Sequence, residues 1–109
     1  MNLGKYNEAI SSLEKFKSEN ETLNTLAIGA IGDAYSQKNQ PKEALDFYVK
    51  ASQAAKNEFT TPRFLMKAGK TALALGNKAD ALKYFTEIKD VYDNTPEGQA
   101  VDAFIGLAQ

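Results

Sequence analysis

Apolar residues recur at three- and four-residue spacing along almost the whole chain. Ile28, Ile31 and Tyr35 follow this spacing, and Leu45 and Tyr48 continue it further on. The spacing places these side chains on one face of an α-helix. No stretch alternates apolar and polar residues, and runs of β-branched residues are missing, so no strand is predicted. The pattern predicts an all-α protein.

Six helices are predicted, with ends marked by capping residues and prolines. Ser18 or Asn20 is suited to cap the second helix, and Pro41 suits the first turn of the third. Thr-Pro pairs at 61–62 and 95–96 indicate a cap followed by a first-turn proline. Because the connections are short, neighbouring helices should run antiparallel. The predicted ranges are about 5–17, 21–37, 41–56, 61–75, 78–92 and 96–108.

A whole helix pair recurs along the chain at a fixed distance. Gly69 follows Gly32 by 37 residues, and Ala81 follows Ala44 by the same 37 residues. A repeated helix pair is typical of a solenoid, in which each unit packs on its neighbours.

The recurring residues resemble the tetratricopeptide repeat, a helix–turn–helix unit of about 34 residues. The resemblance implies a right-handed superhelical solenoid of antiparallel helix pairs. Small residues would then let the two helices of a pair approach closely, and aromatic residues would fill the space between units. An unrelated helical bundle is the alternative, but it would not need small residues at the same two places twice. The matching residues are Ile28, Ile31, Gly32, Tyr35, Ala44 and Tyr48, then Leu65, Ala68, Gly69, Ala72, Ala81 and Phe85.

Both ends of the chain read as half repeats within a single domain of residues 1–109. We divide it into a half repeat (1–20), two repeats (21–58 and 61–95) and a half repeat (96–109). Leu13 and Phe16 on the first helix should face a helix that the pattern lacks. We therefore expect a fragment of a longer protein, or a homo-oligomer whose copies cover each other's ends. A self-sufficient monomer with a polar outer side is the alternative.

Composition removes most catalytic chemistry. The chain has neither Cys nor His, which excludes Ser-His-Asp and Cys-His catalysis and thiolate zinc sites. The acid pairs Glu43–Asp46 and Asp90–Asp93 are ordinary for solvated helix faces. We predict no enzyme, no cofactor, no metal and no small-molecule substrate.

Charge and hydropathy limit the partners further. A net charge of −1, with scattered Lys and Arg, disfavours nucleic acid as a partner. No apolar run approaches the roughly 18 residues of a membrane span, so membrane contact would need a region outside this chain.

The family resemblance also implies where a partner binds. In that family the first helix of each pair lines a concave face that takes an extended peptide or a partner helix. Arg63 and Lys70 lie about two turns apart and suit an acidic group, with Met66 between them; alternatively they are solvated charges, paired with Asp33. The Lys–Asn carboxylate clamp of one sub-family matches Gly29 and Asp33 here, so that clamp is absent. The predicted partner-binding residues are Asp33, Gln37, Arg63, Met66, Lys70 and Ala74.

These observations predict a protein–protein interaction module that binds a peptide or helix on its concave face. The alternative is a structural domain that self-associates or forms a scaffold through its open ends. The stretch YFTEIKDVYDNTPEG also resembles the soluble part of bacterial membrane-anchored tetratricopeptide proteins. That second resemblance implies the periplasmic side of a bacterial membrane rather than the cytoplasm.

Overall fold

A computed structural model describes residues 3–109 of the chain, so residues 1 and 2 of the predicted first half repeat lie outside the described range. Within that range the chain is all-α, as predicted. No described helix is long and apolar enough to cross a membrane. The six helices are α1 (Leu3–Glu14), α2 (Glu21–Gln37), α3 (Pro41–Ala54), α4 (Thr61–Ala74), α5 (Lys78–Val91) and α6 (Pro96–Ala108).

Each helix packs on the helices before and after it, and α4 also contacts α6. Connections of three to six residues join the helices, which is the arrangement expected of antiparallel neighbours. The molecule measures 37 × 32 × 18 Å. Since a helix with its side chains is about 10 Å across, the smallest dimension corresponds to two helix layers. A tetratricopeptide-like solenoid, with one broad face of first helices, follows from this packing.

The repeated glycines sit where an aromatic ring crosses from the second helix of the pair. A Cβ on Gly32 would lie 2.8 Å from the Tyr48 ring, and one on Gly69 would lie 2.3 Å from the Phe85 ring. Tyr48 and Phe85 are buried. The close approach of the two helices therefore requires glycine at both places.

The turn inside each pair is also repeated. Asn39 has a φ of 62° and Gly76 a φ of 81°, and the two residues are 37 apart. The amide after each one closes the helix end, from Gln40 to the Tyr35 carbonyl at 2.9 Å and from Asn77 to the Ala72 carbonyl at 2.8 Å. Glycine, at position 76, is the residue best suited to a left-handed backbone conformation, and asparagine, at position 39, tolerates that conformation.

Two helices end earlier than the apolar pattern predicts. The first helix ends at Glu14 rather than near residue 17, because the backbone of Ser18 is hydrogen-bonded to the side chain of Asn24 at the start of α2. The Ser18 amide donates to Asn24 Oδ1 at 2.9 Å, and Asn24 Nδ2 donates to the Ser18 carbonyl at 2.7 Å. The third helix ends at Ala54 rather than near residue 56, since Ala55 is extended.

Capping is confirmed at Asn20 and Thr95 and corrected at Thr61. Asn20 Oδ1 accepts from the Leu23 amide at 3.1 Å, and Thr95 Oγ1 accepts from the Gly98 amide at 3.0 Å. Thr61 instead lies inside α4, and its Oγ1 accepts from the Asn57 amide at 3.0 Å. Its hydroxyl thus holds the preceding loop against the helix.

Candidate functional site

Two contacts join the first helices of successive units into one surface. Lys67 Nζ of α4 lies 2.8 Å from Asp33 Oδ1 of α2. Lys70 Nζ, also on α4, lies 4.9 Å from the centre of the Phe104 ring on α6. Asp33 and Lys70 are 37 residues apart, as are Lys67 and Phe104, so the same place in successive units makes the same contact. We call this the first-helix surface; its residues are Asp33, Gln37, Arg63, Lys67, Lys70, Ala74 and Phe104.

The charge of Asp33 is satisfied within the protein. The Tyr48 hydroxyl donates to Asp33 Oδ1 at 2.6 Å, beside the ion pair with Lys67. Burial, reinforced by the Asp33 carboxylate, raises the pKa of the Tyr48 hydroxyl well above its usual range. Tyr48 therefore keeps its proton and remains a donor. The cluster leaves no net charge on the surface at this point.

Arg63 and Lys70 have no such compensation. Both are exposed, and neither forms an ion pair with another described residue. Lys70 lies over the Phe104 ring, and the Arg63 guanidinium lies 6.0 Å from the Phe64 ring. An aromatic face stabilises a neighbouring cation by about 0.5–1 kcal/mol at an exposed site. The rings hold the two charges in place without neutralising them.

The six residues predicted to bind a partner do not all reach this surface. Asp33 is half-buried, and Gln37, Arg63, Lys70 and Ala74 are exposed along α2 and α4. Met66 is only 7% exposed and belongs to the core around Phe85 and Ile88. Its side chain is not accessible, which corrects its prediction as an adaptable contact. The other five stay predictions as partner contacts.

Lys67 is the residue that sequence reasoning missed. It follows Arg63 by four residues and precedes Lys70 by three, so the three share one helix face. The row of residues on this face of α4 is therefore 63, 67, 70 and 74, in which Lys67 is half-buried and the other three are exposed. Asp33 pairs with Lys67 and with neither Arg63 nor Lys70, contrary to the pairing considered from sequence. Spacing alone places Lys67 on the same face of α4 as Arg63 and Lys70, but it does not place Lys67 against Asp33.

The surface offers binding groups of few kinds. It presents ammonium and guanidinium groups, one neutralised carboxylate, an amide and part of an aromatic ring. Among residues 3–109 no group of three or more His, Cys, Asp or Glu residues is placed to hold a metal ion. Such a surface can recognise an acidic or aromatic group by charge and packing.

A helix pair, a glycine–aromatic contact and an inter-unit contact that all recur together define a helical-repeat solenoid. Family models described as tetratricopeptide repeat match residues 27–61 and residues 64–95. The chain belongs to the tetratricopeptide repeat family. Repeats of this family generally mediate protein–protein interactions and are typically not enzymes. Comparison with curated proteins gives no significant match, and neither does comparison with solved structures.

Proposed function

We propose that the chain is a protein-interaction module that binds an extended peptide or a partner helix on the first-helix surface, the concave face of the solenoid. The observation that carries the proposal is the pair of uncompensated cations, Arg63 and Lys70, beside an Asp33 that Lys67 already neutralises. Even when the half-buried Glu97 of α6 is counted, cations outnumber acids on this face. An acidic group on the partner would therefore be attracted to it.

Charge reversal on this face tests the proposal. The double variant Arg63→Glu and Lys70→Glu should lose the partner captured by the wild-type protein, because two attractive charges become repulsive. A photo-crosslinking group at Gln37 or Ala74 should label the same partner.

The matched control is Lys78→Glu with Lys83→Glu, the same charge change at exposed positions of α5. The control should retain the partner, and circular dichroism should show both variants folded. Equal retention or equal loss in the two double variants would rule out the first-helix surface as the binding face.

A specific observation also favours the second candidate function, self-association through the open ends. Gly106 of α6 follows Gly69 by 37 residues, at the place where the other units receive an aromatic ring. A Cβ there would meet nothing within 4 Å, and the neighbouring Leu107 is 60% exposed. At the other end of the molecule Phe16 is 44% exposed. In this candidate, α1 of a second copy packs on α6 and completes a helix pair.

Complementation tests the head-to-tail arrangement. Leu107→Glu damages the α6 end alone, and Phe16→Glu damages the α1 end alone. Each variant should be monomeric by itself, since every contact joins one end of each kind. A mixture of the two should form a one-to-one dimer through the two intact ends, measured by sedimentation equilibrium. A wild-type protein that stays monomeric at high concentration would eliminate this candidate.

An envelope location is a separate proposal, resting on the resemblance of residues 84–98 to membrane-anchored relatives. Its test is fractionation of cells that express the natural gene product. Recovery from the periplasmic or membrane fraction supports the location, and recovery from the cytosol alone contradicts it.

A further inference from the structure

A second groove lies between two loops, apart from the first-helix surface. The α3–α4 connection forms one wall, and the end of α5 with the α5–α6 connection forms the other. The groove has a volume of about 440 Å³, and no residue of the first-helix surface lines it. We call it the Phe59 groove; the lining residues used below are Glu58, Phe59, Val91, Tyr92 and Asp93.

The groove brings together two unusually exposed apolar side chains. Phe59 is 80% exposed and Val91 is 62% exposed, the largest fractions among the large apolar side chains of the described residues. Scattered exposed apolar residues are ordinary, whereas contiguous exposed apolar surface with a polar rim is typical of an interaction site. Aromatic residues, Phe included, are also enriched at protein–protein interfaces.

The wall that carries Phe59 is held by hydrogen bonds. Asn57 Oδ1 accepts from the Phe59 amide at 2.9 Å and from the Thr60 amide at 2.8 Å. Thr60, Thr61 and Pro62 are buried immediately afterwards. Phe59 therefore points outward because the backbone on both sides is anchored.

The opposite wall is held as well. Thr95 Oγ1 donates to the Tyr92 carbonyl at 2.6 Å. A Cβ on Gly98 would lie 2.2 Å from the Tyr92 oxygen and 2.6 Å from the Asp93 Cα, so this turn packs directly on the α6 backbone. A groove with two fixed walls loses little conformational entropy when a ligand enters it.

The charges around the groove have one sign. Glu58 and Asp93 are its charged lining residues, and both are exposed acids. Asp90, next to Val91, is a third exposed acid. The cation of the adjoining loop, Lys56, lies 3.6 Å from Glu87 and is partly neutralised by it. An apolar centre with an acidic rim complements an apolar residue that has basic neighbours.

We propose that the Phe59 groove is a second binding site, which takes an extended segment of a partner protein with one large apolar side chain flanked by Lys or Arg. Phe59 and Val91 receive the apolar side chain, and Glu58 and Asp93 attract the cations. The same acids repel anionic membranes and acidic peptides. The site does not depend on binding at the first-helix surface.

The test is an NMR titration of the isotope-labelled wild-type chain with a synthetic peptide. The probe is Gly-Lys-Lys-Leu-Lys-Lys-Gly with blocked ends, and two matched peptides carry Glu in place of Lys or Gly in place of Leu. The lysine–leucine peptide should shift the amides of residues 57–61 and 91–95 in a saturable way. Raising NaCl from about 50 to about 300 mM should weaken its binding, because the Debye length shortens.

Variants separate the apolar contribution from the charge contribution. Phe59→Ser should weaken peptide binding about tenfold or more, as expected for loss of a central anchor. Glu58→Gln with Asp93→Asn should weaken it several-fold and flatten the salt dependence. Phe16→Ser, which removes an exposed phenylalanine elsewhere, should leave binding unchanged, as should Arg63→Glu with Lys70→Glu.

Several results would overturn the proposal. Two concern the peptides: no binding at a peptide concentration of about 1 mM, or binding of the glutamate peptide as tight as that of the lysine–leucine peptide. Two concern the site: the same peptide affinity in Phe59→Ser as in the wild type, or amide shifts centred on α2, α4 and α6. A wild-type dimer that Phe59→Ser dissociates would instead make a second copy the occupant of the groove. Because Arg63→Glu with Lys70→Glu alters only the first-helix surface, this double variant distinguishes failure of the Phe59 groove from failure of the first-helix surface as a binding face.

Discussion

Tyr48 links contacts within a unit to contacts between units. Its ring fills the space that Gly32 leaves open, and its hydroxyl donates to Asp33. Asp33 in turn binds Lys67 of the next unit. One side chain thus fixes the spacing of α2 and α3 and holds the acceptor that ties α2 to α4. Ionisation of the Tyr48 hydroxyl should therefore affect the stability of the whole chain.

Stability should fall at high pH through Tyr48. An unfolded tyrosine ionises near a pKa of about 10, and the folded Tyr48 has a raised pKa. The stabilisation from its neutral form is therefore fully present below pH about 10 and is lost as the pH rises further towards the folded pKa. Tyr48→Phe should lower the free energy of unfolding by about 1 kcal/mol at neutral pH and reduce the decline above pH 10. Urea unfolding across pH measures both effects; parallel curves for the two proteins above pH 10 would contradict this role.

At the scale of the elements, each repeated helix pair depends on close packing of its two helices at a glycine. Gly69 of α4 faces the fully buried Phe85, whereas Gly106 of α6 faces open space at the corresponding place. The two glycines therefore occupy the same place in the unit with opposite surroundings. The neighbouring helix therefore decides which contacts the glycine makes.

Alanine at these two glycines should have effects of opposite sign. Gly69→Ala forces the buried Phe85 ring to move and should destabilise the protein by about 1–3 kcal/mol. Gly106→Ala replaces glycine in a helix without a clash and should stabilise it by about 0.5–1 kcal/mol. Urea unfolding of dilute protein measures both. Equal stabilisation by the two changes would show that helix propensity, rather than the ring contact, dominates.

Over the whole molecule, stability should be graded along the chain. In a solenoid each unit depends on its neighbours, so an end helix is held on one side. Ile10 is the buried residue of α1 among those whose side chains are described. Ile88 of α5 is 0% exposed and belongs to the core shared with α4 and α6. The first helix should therefore open before the centre.

Two matched substitutions test this gradient. Ile→Ala in a core lowers the free energy of unfolding by about 2–5 kcal/mol. The two substitutions differ in which helices the lost side chain packs together. Ile10→Ala should expose the amides of α1 to hydrogen exchange while α4 and α5 keep their protection. Ile88→Ala should instead raise exchange in every helix. Uniform loss of protection in Ile10→Ala would mean that the chain unfolds as a single cooperative unit.

The sequence by itself determined the helical class, the six helices and the pairing of helices into units. These depend on spacing within a few residues and on local capping chemistry, as at Asn20 and Thr95. It also identified Gly32 and Gly69 as packing residues. The same small residue recurs in both units, and each unit also has an aromatic residue at the same position of its second helix, Tyr48 or Phe85.

Only the tertiary structure decided which side chains face outward and which meet across units. Successive helical residues differ by about 100° around the axis, so a small uncertainty in rotation exchanges a buried residue for an exposed one. This is why Met66 proved buried while Lys67 took the place beside Asp33. The Phe59 groove depends on two loops that are distant in sequence and brought together by α4 and α5. A local pattern has no information on such an approach, because it arises from the packing of whole helices.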